Sequence, residues 1–423
     1  MIRGVKGTRD LLPPSTAVWN HVESVARRVF RTYNYREIRT PIFEETELFA
    51  RGVGAETDIV TKEMYSFEDR DGASLTLRPE NTAPVIRAYI EHRLDQQPGV
   101  QKLYYMGPMF RRERPQKGRY RQFYQIGAEA IGSESPAIDA EVIEMVVEIL
   151  AQCGLSGFCL LINSVGCAEC RPRYVEKLRD ALADVAAGMC EDCRRRAVTN
   201  PLRVLDCKVE ADQPVIERLP SILDSLCEVC RPHFDAVQQY LRDRGIVFQV
   251  TPRLVRGLDY YMRTTFEVVH GALGAQNSVL GGGRYDWLAE SLGSKVHAPG
   301  IGFSIGEDRL VMAVEDASPD ANRDPLDLFV APLGDAALRH AGTLARDLRR
   351  EGFSVEVAAS GKLKRAMEIA NKSGARYALI LGDNEIAEGR YALKNMQSGE
   401  QESVTRERIS EELSRSVVTE PRP

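Results

Sequence analysis

The sequence predicts an α+β fold. A large domain is built on an antiparallel sheet, with a mostly helical insertion inside it and a smaller α/β domain at the C-terminus. Three observations carry this. Up to residue 152 the strand-like runs come in hairpin pairs, which favours antiparallel pairing over βαβ repeats. From about 167 to 245 helical periodicity takes over, and seven of the nine cysteines gather there. Beyond a polar stretch, ASPDANRDP at 317–325, short apolar strands alternate with amphipathic helices, the texture of a parallel α/β unit. The expected domains are therefore 1–316, holding an insertion at 167–250, then a linker at 317–325, then 326–423.

Residues 16–34 place Val18, Val22, Val25, Ala26, Val29 and Phe30 on one helical face. A strand is expected over 36–45. EMYSFED and SLTLRPE flank Asp71-Gly72, a hairpin signal. Residues 81–93 read as a helix. QKLYYMGPMFRRER and RQFYQIGAEAIG read as two strands joined by a short loop at 115–118. A further helix covers 135–152. After the insertion, LVRGLDYY and TTFEVVH read as strands, 281–283 as a glycine loop, and 300–314 as a strand turning into a helix. In the C-terminal part, strands are expected at LDLFVAPL, SVEVAA and YALILG, with helices at 336–351 and 362–373.

The chain has 423 residues, with 56 basic against 61 acidic side chains and a formal net charge of -5. That excludes binding nucleic acid by bulk charge and leaves room for a local basic patch. The first residues carry a charge or a glycine every few positions, unlike a secretory leader. No apolar run approaches the ~18 residues of a membrane span. With an odd number of cysteines and no leader, reduced thiols and a cytoplasmic location are expected.

Chemistry concentrates in four stretches. FRRERPQKGRYRQF at 110–123 holds Arg111, Arg112, Arg114, Lys117, Arg119 and Arg121 against one acid, Glu113. Most charge runs are solvated faces. Here the run spans a predicted strand–loop–strand, so alternate arginines would share a face, and Phe110 and Phe123 interleave with them. Guanidinium forks with a ring suit a phosphate-bearing ligand with a flat base. LTLRPENTAP at 75–84 puts Glu80 and Thr82 at a strand end, where Glu80 could accept from an ammonium group or serve a helix N-terminus. LVRGLDYYMRTTFEV at 254–268 places Arg256 among apolar residues, where a buried guanidinium needs a partner. GIGFSIGEDRL at 300–310 has neither the GxGxxG nor the P-loop spacing. Arg309 there opens a helix behind close-packed glycines.

Together these stretches resemble the three signature motifs of class II aminoacyl-tRNA synthetases. RGLDYY at 256–261 and GGGRYD at 281–286 resemble the two motifs peculiar to the histidine enzymes, and LRPENTAP and RPQKGRYRQFYQIGAE fit them closely. The resemblance to the histidyl-tRNA synthetase family runs from VKGTRDLLPP through the C-terminal domain. It implies a class II catalytic core and an anticodon-binding C-terminal domain, with a basic helix face of Lys362, Lys364, Arg365 and Lys372. It implies histidine activation with ATP, accompanied by substrate-associated Mg²⁺, then transfer to the 3′-end of histidine tRNA by a homodimer. Arg111, Arg256 and Arg309 would be catalytic, with Arg256 doing work that a metal ion does in relatives. Arg111, Glu113, Arg119, Phe123 and Arg309 would bind ATP. Glu80, Thr82, Arg111, Gln125, Glu129, Arg256, Tyr260 and Tyr261 would bind histidine, with residues 281–283 close around it. Arg114 and Gln116 would approach the tRNA acceptor end. Arg112 stands where many relatives have His. The rival reading is a non-catalytic, synthetase-like regulatory subunit of histidine biosynthesis. Such subunits lack the C-terminal domain and have eroded motifs, whereas both are intact here.

Cys167-x-x-Cys170, Cys190-x-x-Cys193 and Cys227-x-x-Cys230 each have the spacing of half a tetrahedral zinc site. Reduced thiols at helix ends explain them equally well, and the family requires no zinc. A structural zinc site would be expected on Cys190, Cys193, Cys227 and Cys230.

Overall fold

The computed structural model describes residues 2–55, 57–271, 278–317, 326–359 and 362–415. The chain divides into two compact units, Met1–Ala321 and Asn322–Pro423. Most of the expected linker, 318–325, lies outside the described residues.

The first unit is organised by an eight-stranded sheet. Its strands run in the order Arg36–Glu37, Gln101–Phe110, Gln122–Ile131, Gly300–Gly306, Ser278–Arg284, Met262–His270, Phe158–Ser164 and Gln249–Val250. The six central strands are antiparallel and the outermost pair on each side is parallel. Strand periodicity decides what each face carries. In Gln122–Ile131, Ile126, Ala128 and Ala130 join the main core, together with Phe266, Val268, Ile301, Phe303 and Ile305 of the neighbours. Helices Ser15–Thr32, Pro136–Gln152, Cys230–Asp243 and Glu307–Ala317 cover that face, contributing Val22, Val25, Val146, Phe234 and Leu310. Each such fully buried aliphatic side chain stabilises by roughly 1.5–3 kcal/mol.

Helix Pro136–Gln152 starts where its sequence says it should. The Ser135 hydroxyl caps the Ala137 N–H at 3.3 Å, and Pro136 takes the first position, where no N–H is needed. The opposite sheet face carries a smaller cluster with Val85, Ile86, Tyr105, Met109, Ile131 and Tyr285. Helix Thr82–Glu91 and a three-stranded sheet of Phe43–Glu45, Ser74–Leu77 and Tyr65–Glu68 belong to this half.

The structure differs from the expected elements in four places. The strand expected over 36–45 is two short pieces, separated around Pro41, whose ring removes a ladder donor. The expected loop at 115–118 is an eleven-residue excursion, 111–121, between strands that end at Phe110 and restart at Gln122. Arg111 through Arg121 therefore sit in a loop and do not alternate along strands. LVRGLDYY is irregular: Leu254 N–H returns to Thr251 O and Asp259 N–H goes to Val53 O, so no ladder forms. Gly281, Gly282 and Gly283, expected in a loop, lie inside strand Ser278–Arg284 and pair with both neighbours.

Segment 167–229 forms its own cluster around Tyr174, Leu178, Val204 and Ile216. Helix Cys230–Asp243, counted by sequence within the insertion, packs Phe234, Val237 and Leu241 into the main core. The second unit has a five-stranded sheet ordered Val355–Val357, Leu328–Pro332, Tyr377–Leu381, Tyr391–Asn395 and Gln401–Val404. The first three are parallel, as expected, and the last two add antiparallel pairings that the sequence reading did not contain.

Candidate active site

Phe123, Gln125, Gly127 and Glu129 share the sheet face opposite the main core, because every second residue of their strand does. Gly302, Ser304 and Gly306 continue that face on the adjacent strand, so the middle of the sheet is nearly bare of side chains. The bareness is enforced. A Cβ on Gly302 would run into the Glu129 carboxylate, and one on Gly281 would fall inside the Arg256 guanidinium. The resulting cleft has a cavity volume of about 230 Å³.

Arginines ring one end of the cleft. Arg111 donates from Nε to Pro79 O at 2.9 Å, and its guanidinium stands 5.3 Å from the Phe123 ring centre. Arg119 Nε pairs with Glu113 at 2.6 Å. Arg309 donates to Ser278 O at 2.8 Å and to Gly118 O at 3.2 Å. Burial, with Arg119 and Arg111 close by, holds its guanidinium below the ordinary arginine range. Arg256 also lines the cleft, 3.5 Å from Glu267. Its buried Nε has no hydrogen-bond partner among the described residues. Like charges held together at one rim of a cleft are the complement of a polyanion.

The other end is polar and enclosed. Glu80 is buried, accepting from Thr82 N–H at 2.7 Å and Ala83 N–H at 3.1 Å, with the Tyr260 hydroxyl at 3.5 Å. It thus opens helix Thr82–Glu91 and lines the cleft together. Burial raises its carboxyl above the ordinary range. Gln125 is buried with its Oε1 unpartnered among the described residues. Tyr260 and Tyr261 stand side by side, ring centres 4.7 Å apart.

Of the residues singled out from sequence, Arg111, Arg256, Arg309, Glu113, Arg119, Phe123, Glu80, Thr82, Gln125, Tyr260 and Tyr261 all line this cleft. Glu129 does not. Fully buried, it accepts hydrogen bonds from Thr82 Oγ1 at 2.8 Å, Tyr105 at 3.3 Å and Tyr285 at 2.5 Å. Burial pushes its carboxyl up to about 8, against the hydroxyls that hold it. It supports the floor and is not an open wall. Arg114 and Gln116 are exposed on the loop outside the cleft. The sequence reading passed over Tyr105 and Tyr285. Their signals were present, Tyr285 inside GGGRYD and Tyr105 one residue out of phase with Tyr104, which faces the main core.

The zinc set expected from spacing is not the one the chain assembles. Cys227 and Cys230 sit at the foot of helix Cys230–Asp243 and meet Cys167 and Cys170, which follow strand Phe158–Ser164. Cys190 and Cys193 meet Cys207 and Asp212 instead. The helix packs into the main core and carries its cysteines away from residues 190–207, which spacing could not show.

The histidyl-tRNA synthetase family profile matches residues 7–310, and an anticodon binding domain profile matches 327–416. The chain belongs to the histidyl-tRNA synthetase family. It is 78% identical to a histidine–tRNA ligase of Solibacter usitatus over 98% of this chain and 99% of that one. It is 58% identical to one of Koribacter versatilis over 97% and 95% of the two chains. Among solved structures, apo S. aureus histidyl-tRNA synthetase superposes with a TM-score of 0.80 at 38% identity, covering 98% of this chain and all of that one. The eight-stranded sheet with its arginine-rimmed cleft is thus the synthetase fold of this family. Among the described residues no helix is long and apolar enough to cross a membrane.

Proposed function

We propose that the protein activates L-histidine with ATP to histidyl-adenylate and pyrophosphate, then transfers histidine to the 3′-end of its tRNA. The observation that carries this is the convergence of Arg111, Arg256 and Arg309 around one end of a cleft whose other end offers Glu80, Gln125 and Tyr261. Attack of a carboxylate on the α-phosphate brings two anions together. Arg111 and Arg256 meet the reacting groups from opposite sides and stabilise the charge that gathers in the transition state. Arg309 and Arg119 hold the β- and γ-phosphates of ATP, which arrives with Mg²⁺. Glu113, now paired with Arg119, turns to the adenine edge, and Phe123 stacks on the base.

Glu80, Thr82 and Gln125 take the substrate ammonium group. Tyr260 and Tyr261 face the imidazole, and Glu129 acts from beneath by fixing Thr82 and Tyr105. A site whose buried polar groups would be left unpaired rejects other amino acids, by as much as ~10⁴. Arg114 and Gln116 reach the acceptor end, and the second unit reads the anticodon. The working form is a cytoplasmic homodimer with residues 15–41 at its interface.

The test is ATP–pyrophosphate exchange with each amino acid in turn. Histidine alone should support exchange, and exchange that ignores histidine defeats the reading. A regulatory subunit without activity would show none.

A further inference from the structure

The insertion turns seven sulfurs and one carboxylate toward each other in two separate groups. In the first, Cys167 Sγ lies 3.7 Å from both Cys170 Sγ and Cys227 Sγ. In the second, Cys190 Sγ lies 3.9 Å from Cys207 Sγ, which is 3.3 Å from Asp212 Oδ2. Within each group all four ligand atoms lie within 4.8 Å of one another. Four ligands about 2.3 Å from a tetrahedral ion stand about 3.8 Å apart, so the sulfur spacing is that of a coordination shell. It is far from the roughly 2.0 Å of a disulfide, and all nine cysteines are free.

Thiols that were only small hydrophobes would point into apolar neighbours. These are aimed sulfur to sulfur, with backbone N–H groups directed at them. Cys167 N–H meets Cys170 Sγ at 3.1 Å, Glu169 N–H meets Cys167 Sγ at 3.4 Å, and Cys193 N–H meets Cys190 Sγ at 3.4 Å. Such donors stabilise thiolate over thiol. The two halves of the first group also repeat each other. CAECRP and CEVCRP each place their second cysteine first in a helix, Cys170–Ala183 and Cys230–Asp243. Both close with the same turn, from Arg171 N to Cys167 O and from Arg231 N to Cys227 O.

The second group carries its own evidence. Asp212 is 2% exposed and accepts from Cys190 N–H at 3.1 Å, yet no Lys or Arg pairs with it among the described residues. A buried carboxylate without a counter-charge is costly, and a divalent ion supplies that charge.

We infer that the insertion holds two structural zinc ions, one on Cys167, Cys170, Cys227 and Cys230, the other on Cys190, Cys193, Cys207 and Asp212. The first also reaches the substrate cleft. Arg171, next to Cys170, donates to the main-chain oxygens of Val165, Asp259 and Tyr261. Fixing the cysteines fixes this arginine and, through it, the backbone that carries Tyr260 and Tyr261. That link rests on the histidine-binding role proposed for those tyrosines, whereas the ion count does not.

Untagged full-length protein, grown with zinc and desalted over metal-free resin, is measured by native mass and by elemental analysis. Two zinc ions per chain are expected, falling to one in Cys227→Ser and to one in Cys207→Ser. If either variant fails to fold, stepwise zinc release from the wild type by a mercurial thiol reagent gives the same count. Metal-free wild type overturns both centres, and iron in place of zinc overturns the identity of the ion. A single zinc that survives Cys207→Ser but not Cys227→Ser overturns the second centre. Stripping the zinc should raise KM for histidine by roughly 10-fold and leave KM for ATP in place. An unchanged KM for histidine in stripped, folded enzyme overturns the link through Arg171 and leaves the ion count standing.

Discussion

Arg256 meets Gly281 where a Cβ could not stand, so its position is set by a neighbour's missing side chain as much as by its own contacts. The transition-state role proposed for it makes Arg256→Ala the sharpest active-site test. Exchange should fall ~100-fold, with the circular dichroism spectrum and unfolding midpoint unchanged. Near wild-type exchange would remove the role. A different residue governs stability. Glu307 is fully buried, neither carboxylate oxygen finds a partner among the described residues, and burial pushes its carboxyl up to about 9. Unfolded, the same group titrates near 4.5. The native state therefore holds a proton that the unfolded state releases, and stability is lost as pH rises from about 4.5 towards 9. Glu307→Gln removes that loss and should stabilise the protein by about 3 kcal/mol at pH 7. The gain should be larger at pH 8 than at pH 6, read from urea midpoints, and a gain independent of pH would contradict the account.

Helix Pro136–Gln152 and strand Ser278–Arg284 are joined by Arg284, fully buried, which donates to Asp139 at 3.0 Å and to Asp286 at 2.8 Å. Without Asp139 the buried guanidinium keeps Asp286 as its only carboxylate partner among the described residues, so Asp139→Ala should cost about 3 kcal/mol, measured as a shift in the denaturation curve. Elements with a clean period were legible in the sequence: helix Ser15–Thr32 from its apolar stripe, strand Gln122–Ile131 from its alternation. Residues 111–114 and 121 read as strand ends because arginines between aromatics mimic alternation, while the longer loop follows from bonds to distant partners such as Arg112 N to Glu63 O. Strands Tyr391–Asn395 and Gln401–Val404 escaped because they are short and partly polar at an edge. Within the site, residue types and motif spacing picked out the arginines, Glu80, Gln125 and the Tyr260–Tyr261 pair that line the cleft, but not Tyr105, Tyr120, Ser304 or Asp308, which line it too. The depth of Glu129 and the pairing of the cysteines were not legible, since both depend on how the sheet and the insertion close in three dimensions.

Each unit of the molecule has its own sheet and its own core, the second built on Leu328, Val330, Leu344, Leu379 and Leu393. A chain ending at residue 321 should therefore fold and keep histidine-dependent pyrophosphate exchange, while its charging of tRNA drops to background. Loss of both activities together would mean that the core depends on the second unit. Within the first unit, the ends of the sequence are tied together. Arg9 pairs with Asp308 at 2.7 Å and leans on the Tyr120 ring, and Gly7 O accepts from Arg121 N–H. The strap over the 111–121 loop is thus among the first parts translated, and its anchor lies 299 residues later. At roughly 5–20 residues per second, the ribosome delivers that anchor about 15–60 s after Arg9. Until then the emerging polypeptide lacks the Arg9–Asp308 pair, and a shortened product that stops before Asp308 also lacks Arg309 of the cleft wall.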